Sequence, residues 1–330
     1  MLKNKKNLYL FISVIILLFL LLWKLRANKN DTASYDFAVT DTASITKIFI
    51  ADRKGNSISL DRAEKNWKIN DMHKVRKNAM KIILKTIKNI SMQRPVSESS
   101  YNNVIKGLAT SGVKIEIYQN QEGRPTRTYT IGDNTPDHTG TYMLLKDQEQ
   151  PYVMHIIGFN GIMGPRYGLQ VQKVDINAWR DKMIFNLIPQ EIKSVSVINQ
   201  IEKGSSFTIK NSNGNLILKN YQKEIIDAKQ GILMAYLTNF RNINCENFKG
   251  EEIAEKIKTA KKLYSLIVKH QSEVDSLEVY QIREEGKPRT PEGNYTVERM
   301  YAVLNSEDVM LIQNYVFNKL LITVEQLREE

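Results

Sequence analysis

The chain has 330 residues, of which 42% are hydrophobic and 25% charged, and its formal net charge is +11. This is the composition of an ordinary globular protein, and it excludes the collagen-like, disordered and disulfide-scaffold classes. Six of the 47 lysines and arginines lie in the first thirty residues, which contain no acidic residue. The excess basic charge is therefore concentrated around one terminal segment and is weak evidence for nucleic-acid binding.

The first predicted element is an apolar run from Leu8 to Trp23, in which Ser13 is the one clearly polar residue. As a helix, its sixteen residues would span about 24 Å of a hydrocarbon core about 30 Å thick, and Lys24 and Arg26 can snorkel over the remainder. No small-residue cleavage site follows the run, so a cleaved signal peptide fits less well than an anchor. We therefore predict a transmembrane helix that holds the protein at a membrane through residues 8–23.

Charge bears on the orientation of this anchor. Three lysines precede the run and three basic residues follow it closely, so the positive-inside rule leaves the two sides nearly balanced. A short tail before the anchor and a long domain after it favour a cytoplasmic tail. Residues 1–26 are thus predicted as cytoplasmic tail and anchor, residues 27–43 as a polar tether, and the rest as extracytoplasmic.

Two stretches with the same order of predicted elements follow the tether. The first begins with apolar residues at Ile45, Ile48 and Ile50, which indicate a strand, and runs through a meander into an amphipathic helix that stops before Pro95. A shorter helix and four alternating runs complete it. The second stretch repeats this order from Ile192 onward, and we interpret the two stretches as an internal duplication.

The duplication predicts both the domain organisation and the fold class. The first α+β repeat is expected at residues 44–157 and the second at 191–330, with a glycine-rich linker that contains a short helix at 158–190. The predicted fold class is α+β: an N-terminal transmembrane helix, followed by a duplicated unit of antiparallel sheet that helices cover on one face.

Two short motifs lie where the copies join: Trp179-Arg180-Asp181-Lys182 and Pro189-Gln190-Glu191-Ile192-Lys193-Ser194-Val195. Together with the apolar leading segment and the two-copy pattern, they make the chain resemble the domain of unknown function 4340 family, over about residues 40–320. The resemblance is to membrane-anchored envelope proteins of the Bacteroidota type. It implies a single-pass protein of the bacterial inner membrane, with the bulk of the chain in the periplasm.

The same resemblance bears on partners. Some relatives are linked to auxiliary components of ABC transporters of the gliding-motility type, which implies a membrane-protein partner in an ABC-transporter-type complex. The inner membrane itself is the second expected partner, through residues 8–23. The family supplies no catalytic residues that could be carried over to this chain.

The best candidate for a chemical site is a loop in the first copy that contains Asp133, Asp137 and His138. Two carboxylates and an imidazole could bind a divalent metal or position a proton, but the same residue types also build solvated turns, which is the simpler interpretation. Signatures such as G-x-S-x-G, the P-loop, H-E-x-x-H and C-x-x-C are absent from the sequence. We therefore predict no catalytic residue, cofactor or metal, and keep these three residues as the alternative metal site.

The second candidate is a basic face on the amphipathic helix of the first copy. No acidic residue occurs between Lys74 and Arg94. Such a face could hold anionic lipid headgroups, an acidic partner or a polyanionic glycan, while a solvated lysine face is the simpler interpretation. The lysines recur at spacings of three and four: Lys74, Lys77, Lys81, Lys85 and Lys88.

These observations predict a non-catalytic, membrane-anchored envelope protein that acts as a protein-binding or scaffold module, as an accessory part of a transporter-like complex. One alternative is a tethered metal-dependent hydrolase at the Asp133, Asp137 and His138 loop. The other is an anion-binding module that uses the basic helix face from Lys74 to Lys88. Nucleic acid is not an expected partner, because the anchor would place this helix outside the cytoplasm.

Overall fold

The computed structural model describes residue 15 and residues 36–120, 123–271, 273–283 and 295–328. The chain divides after Asp181 into two units. Of the described residues, 43% lie in strands and 23% in helices, so both units are built mainly from antiparallel sheet.

The first unit contains a nine-stranded antiparallel sheet. Its strands are β1 Ile45–Ala51, β2 Ser57–Arg62, β3 Trp67–Ile69, β4 His73–Lys74, β5 Ile90–Pro95, β6 Val113–Gln119, β7 Arg127–Asn134, β8 Thr141–Leu145 and β9 Tyr152–Ile156. Their order across the sheet is β4-β3-β2-β1-β6-β7-β8-β9-β5. Strand β1 lies inside the sheet, where Ile48 pairs with Leu60 of β2 on one side and with Ile117 of β6 on the other. These three residues are fully buried, so one face of the sheet packs into the core.

Two helices of the first unit pack on opposite faces of this sheet. They are α1, Lys77–Asn89, and α2, Glu98–Thr110. Ile83 and Ile87 of α1 belong to the same core cluster as Met154 of β9. Leu108 of α2 belongs to a separate cluster with Val153, the neighbour of Met154 on the same strand. Because successive side chains of a strand point to opposite faces, the two helices cover different sides.

The residues after β9 complete the core of the first unit. They form a 3-10 helix at Gly164–Tyr167, strands β10 Leu169–Gln170 and β11 Lys173–Val174, and a 3-10 helix at Ile176–Ala178. Tyr167 and Trp179 are 0% and 1% exposed, and both belong to the core cluster that α1 joins. The Tyr167 hydroxyl lies 2.8 Å from the hydroxyl of Tyr129. Part of the predicted linker, including Tyr167 and Trp179, is therefore packed into the core of the first unit.

The second unit contains a second nine-stranded antiparallel sheet and one separate strand pair, β12 with β17. The strands are β12 Met183–Phe185, β13 Ile192–Asn199, β14 Phe207–Ser212, β15 Asn215–Asn220, β16 Ile225–Ile226, β17 Ile243–Asn244, β18 Asn247–Phe248, β19 Lys262–His270, β20 Glu273–Arg283, β21 Tyr295–Leu304 and β22 Asp308–Gln313. The order across the large sheet is β16-β15-β14-β13-β19-β20-β21-β22-β18. Numbered along the chain within each large sheet, the two sheets have the same strand order.

The helices of the second unit are short. They are α3 Gln230–Thr238, α4 Glu251–Lys258 and α5 Asn314–Phe317, with 3-10 helices at Pro189–Glu191, Lys203–Ser205 and Val324–Leu327. Leu237 of α3 is fully buried in the core, and so are Phe317 and Leu320 beyond β22. The Tyr236 hydroxyl donates a hydrogen bond of 2.8 Å to the carbonyl oxygen of Leu320. The segment after the last strand therefore closes this core too.

The predicted fold class is wrong. The sheets dominate both units, and the helices of the first unit lie on two faces of its sheet instead of one. Helical periodicity shows that a helix has an apolar side but does not specify which sheet face that side meets. The predicted transmembrane helix at residues 8–23 lies outside the described residues, apart from residue 15. No helix among those described is long and apolar enough to cross a membrane.

The predicted tether is partly packed against the first unit. Phe37 and Val39 are 1% and 5% exposed, within the stretch from 36 to 43 that the structure describes. The domain boundaries at 44–157, 158–190 and 191–330 remain predictions.

Candidate anion-binding surface

The exposed side of α1 carries four lysines in a row. The apolar spacing of the sequence orients the helix, because Met80, Ile83 and Ile87 are buried and pull their side of α1 onto the sheet. The lysines on the opposite side are all exposed, and we call them the lysine face: Lys77, Lys81, Lys85 and Lys88.

The lysine face has no counter-charge among the residues that the structure describes, since none of its four lysines forms an ion pair with them. The first turn of α1 also lacks an acidic residue. Like charges four residues apart on a helix cost a few tenths of a kcal/mol per pair, and Lys77 faces the positive end of the helix dipole. The face is therefore slightly unfavourable for the isolated helix and favourable for a bound anion.

The structure separates Lys74 from the other four predicted residues. Lys74 belongs to strand β4, and its ammonium group lies 3.2 Å from the carboxylate of Asp181. Its charge is locally balanced by that contact. The sequence spacing could not reveal this pair, because Asp181 lies far along the chain.

Contacts on the inner side hold α1 in place. The guanidinium group of Arg76 donates a hydrogen bond to the carbonyl oxygen of Ala178, and Arg166 Nε donates to Thr86 Oγ1 at 2.7 Å. Arg76 and Arg166 are thus used for internal contacts. The lysine face is left as an exposed row on a helix that is fixed from behind.

Val39, close to the start of the described stretch 36–120, lies beside the end of this helix. The backbone N–H of Val39 donates to the carbonyl oxygen of Ile87 at 3.1 Å. Phe37 packs its ring 5.7 Å from the ring of Tyr129, and Asp36 pairs with Arg127 at 2.7 Å. The chain therefore enters the first unit next to the carboxyl end of α1.

The alternative metal site lies in the loop between β7 and β8. Asp133 is exposed within β7, while Asp137 and His138 are exposed in the turn. The Asp137 carboxylate accepts hydrogen bonds from Thr135 Oγ1 at 2.5 Å and from the N–H of Thr139 at 3.2 Å. These bonds lower the pKa of Asp137 to about 2, which is the behaviour of a carboxylate that stabilises its own turn. The described residues contain no group of three His, Cys, Asp or Glu side chains able to hold a metal.

A polar cluster that sequence reasoning missed lies on strand β6. Lys114 Nζ lies 3.0 Å from one oxygen of Glu116, and the hydroxyl of Tyr118 donates to the other at 2.9 Å. Burial raises the pKa of Glu116, but these two partners outweigh it and leave the pKa below its ordinary value. The sequence signal for this cluster was the spacing of positions 114, 116 and 118, because alternate residues of a strand point to the same face of the sheet. The cluster gives this face of the sheet a paired set of charges.

The described residues thus form two large antiparallel sheets, and in the first unit a helix packed on the sheet carries four exposed lysines. The family model described as Domain of unknown function (DUF4340) matches residues 73–266, which is more than half of the chain. The protein belongs to this family, as the sequence resemblance indicated. The comparison with curated proteins found no match, and the comparison with solved structures found none either.

Proposed function

We propose that this protein is a non-catalytic binding protein of the bacterial envelope that holds a negatively charged partner on its lysine face. The observation that carries the proposal is the row of four exposed lysines on α1 without a described counter-ion. Such a row raises the local positive potential and attracts an anionic surface with little need for shape complementarity. The binding module would serve as a scaffold rather than as an enzyme.

Location and complex membership are part of the same proposal. The apolar run at residues 8–23 supports an association with the bacterial inner membrane, with the bulk of the chain in the periplasm. The family resemblance supports a role as an accessory component of an ABC-transporter-type complex.

The direct test uses the full chain in a non-ionic detergent on a heparin column. The triple variant Lys77→Glu/Lys81→Glu/Lys85→Glu should elute at a clearly lower salt concentration than the unchanged protein, because it reverses three charges of the lysine face. The measurement is the salt concentration at the elution peak.

A matched control separates the lysine face from net charge. Lys193, Lys203 and Lys210 are exposed in the second unit, and the variant with all three changed to Glu has the same net charge as the first variant. It should elute close to the unchanged protein. Equal shifts for the two variants would mean that net charge alone explains retention, and the proposal would be wrong.

A further inference from the structure

We propose that the lysine face lies on the anionic phospholipid headgroups of the membrane with which residues 8–23 associate, so that the first unit rests on the bilayer surface. This inference rests on the proposed function and names its ligand. The competing occupant of the same face is an acidic protein surface, which the test below distinguishes from lipid.

The geometry of the lysine face matches a flat surface such as a bilayer. At a rise of about 1.5 Å per residue, Lys77 and Lys88 lie about 16 Å apart along the helix axis. The four side chains stand in one row on a single helix. A row of this kind can bring all its ammonium groups to a flat charged surface at once, whereas it encloses no small ligand.

The composition of the exposed side favours lipid over protein. The exposed residues of α1 are lysine and asparagine only: Lys77, Asn78, Lys81, Lys85, Lys88 and Asn89. Protein interfaces are centred on aromatic residues, methionine and arginine, and they are depleted of lysine. Lysine is a strongly hydrated point charge on a flexible stem, which suits a diffuse layer of headgroup phosphates.

Chain connectivity brings this face near the proposed membrane segment. Val39 is hydrogen-bonded to Ile87, one residue before Lys88. Thirteen residues of chain join Arg26, just after the apolar run, to Val39, and they span at most about 45 Å even when fully extended. The carboxyl end of α1 therefore stays within that distance of Arg26. Tethering at this range gives the lysine face a high effective concentration at the membrane surface.

The test compares the chemical reactivity of individual lysines in the full chain reconstituted into two kinds of vesicle. One kind contains phosphatidylcholine alone, and the other contains phosphatidylcholine mixed with phosphatidylglycerol. A water-soluble acylating reagent labels exposed lysines, and mass spectrometry measures the rate at each position. Labelling of Lys77, Lys81, Lys85 and Lys88 should be at least about threefold slower in the phosphatidylglycerol vesicles, because each cation is attracted to that surface.

Internal controls come from the same samples. The reaction rates of Lys193, Lys203 and Lys210 should be the same in both vesicles, because these lysines lie in the second unit and do not belong to the lysine face. The protection of the lysine face should disappear at about 0.5 M salt, where screening reduces the reach of charge to about 4 Å.

The outcomes distinguish this inference from the proposed function. Equal reactivity in both vesicles, or a failure of the chain to float with phosphatidylglycerol vesicles, overturns the lipid inference. Protection by polyglutamate in detergent without protection by phosphatidylglycerol also overturns it, and points to an acidic protein surface. In both cases the proposed function stands if the heparin test succeeds, whereas failure of the heparin test removes the proposed function itself.

Discussion

Helices α1 and α3 occupy the same place in the order of their units, yet only one of them is charged. Both follow the fourth strand of a nine-stranded sheet, and both bury an apolar side. The exposed side of α1 carries four lysines, whereas α3, Gln230–Thr238, contains no charged residue. The same strand order forms with either helix beside it, so the packing of the unit does not require the lysines. A charge pattern that the fold does not need is a reason to look for a ligand.

The segments that complete the two cores, after β9 in the first unit and after β22 in the second, show a second contrast between the units. In the first, the Tyr129 hydroxyl meets another side chain, the hydroxyl of Tyr167. In the second, the Tyr236 hydroxyl meets a backbone carbonyl, that of Leu320. Each closing segment is therefore held by one buried tyrosine, but with a different partner.

The largest expected effect concerns the closure of the first unit. Gly168 has φ of +68°, and a Cβ atom there would collide with the indole ring of Trp179. Gly168→Ala should lower the unfolding free energy of the first unit by about 3 kcal/mol, from left-handed strain and overpacking together. Tryptophan fluorescence during urea unfolding measures this unit, since residues 182–330 contain no tryptophan.

Gly214 in the second unit supplies the matched control. Its φ is +94°, but no atom lies within 4 Å of an added Cβ. Gly214→Ala should therefore cost only about 1 kcal/mol, from backbone strain alone, as measured by circular dichroism. A Gly168→Ala loss no larger than this would show that the Trp179 contact is unimportant.

The buried tyrosines should differ by a smaller amount. Tyr129→Phe leaves the fully buried hydroxyl of Tyr167 without this partner and should cost about 2 kcal/mol. Tyr236→Phe removes a bond to a backbone carbonyl and should cost about 1 kcal/mol. Urea unfolding followed by circular dichroism compares the two variants with the unchanged protein. The reverse ranking would contradict the importance of the paired hydroxyls.

The turns after β1 and β13 should make the unfolding free energies of the two units depend differently on pH. The carboxylate of Asp52 accepts bonds from the N–H groups of Lys54, Asn56 and Val174, whereas the amide oxygen of Asn199 accepts the N–H groups of Ile201 and Glu202. Burial raises the pKa of Asp52, but the hydrogen bonds, including one from the Asn56 amide, outweigh it and leave the pKa below its ordinary value.

A lowered pKa in the folded state means that ionised Asp52 stabilises the first unit above about pH 4, and that this contribution is lost as the pH falls through the folded pKa. Asp52→Asn should lower the unfolding free energy by about 1 kcal/mol near pH 6, and the difference from the unchanged protein should shrink towards about pH 3. Urea unfolding at the two pH values, read by tryptophan fluorescence, gives this difference. A constant difference would show that Asp52 acts through packing.

The smallest effect concerns the lysine face itself. Lys81→Glu places a carboxylate four residues from both Lys77 and Lys85, so repulsion becomes attraction and the first unit should gain about 0.3 kcal/mol in stability. Thermal unfolding followed by tryptophan fluorescence gives the change. Ala235→Lys on the exposed side of α3 has no such neighbours and should leave the stability of the second unit unchanged in thermal unfolding followed by circular dichroism. A loss of stability in Lys81→Glu would mean that Lys81 supports the fold.

Several elements could be predicted from local pattern alone. The apolar residues Ile45, Ile48 and Ile50 coincide with β1, and the predicted amphipathic helix coincides with α1. Both signals are periodic patterns of apolar residues. Such a pattern can be recognised within a short stretch of sequence, without any information about the rest of the chain. The burial of Tyr167 and Trp179 within the glycine-rich stretch 158–190 could not be predicted in this way, because it depends on a sheet formed by distant strands.

The sequence by itself determined that four lysines share one side of α1 opposite the apolar residues, because helical geometry sets that arrangement within a few turns. It also determined family membership, through residues 73–266. Only the tertiary structure decided that Lys74 pairs with Asp181, that α1 and α2 use opposite faces of one sheet, and that the chain enters beside Ile87. Those contacts join residues far apart in the chain, and their formation depends on the packing of the whole unit rather than on any local preference.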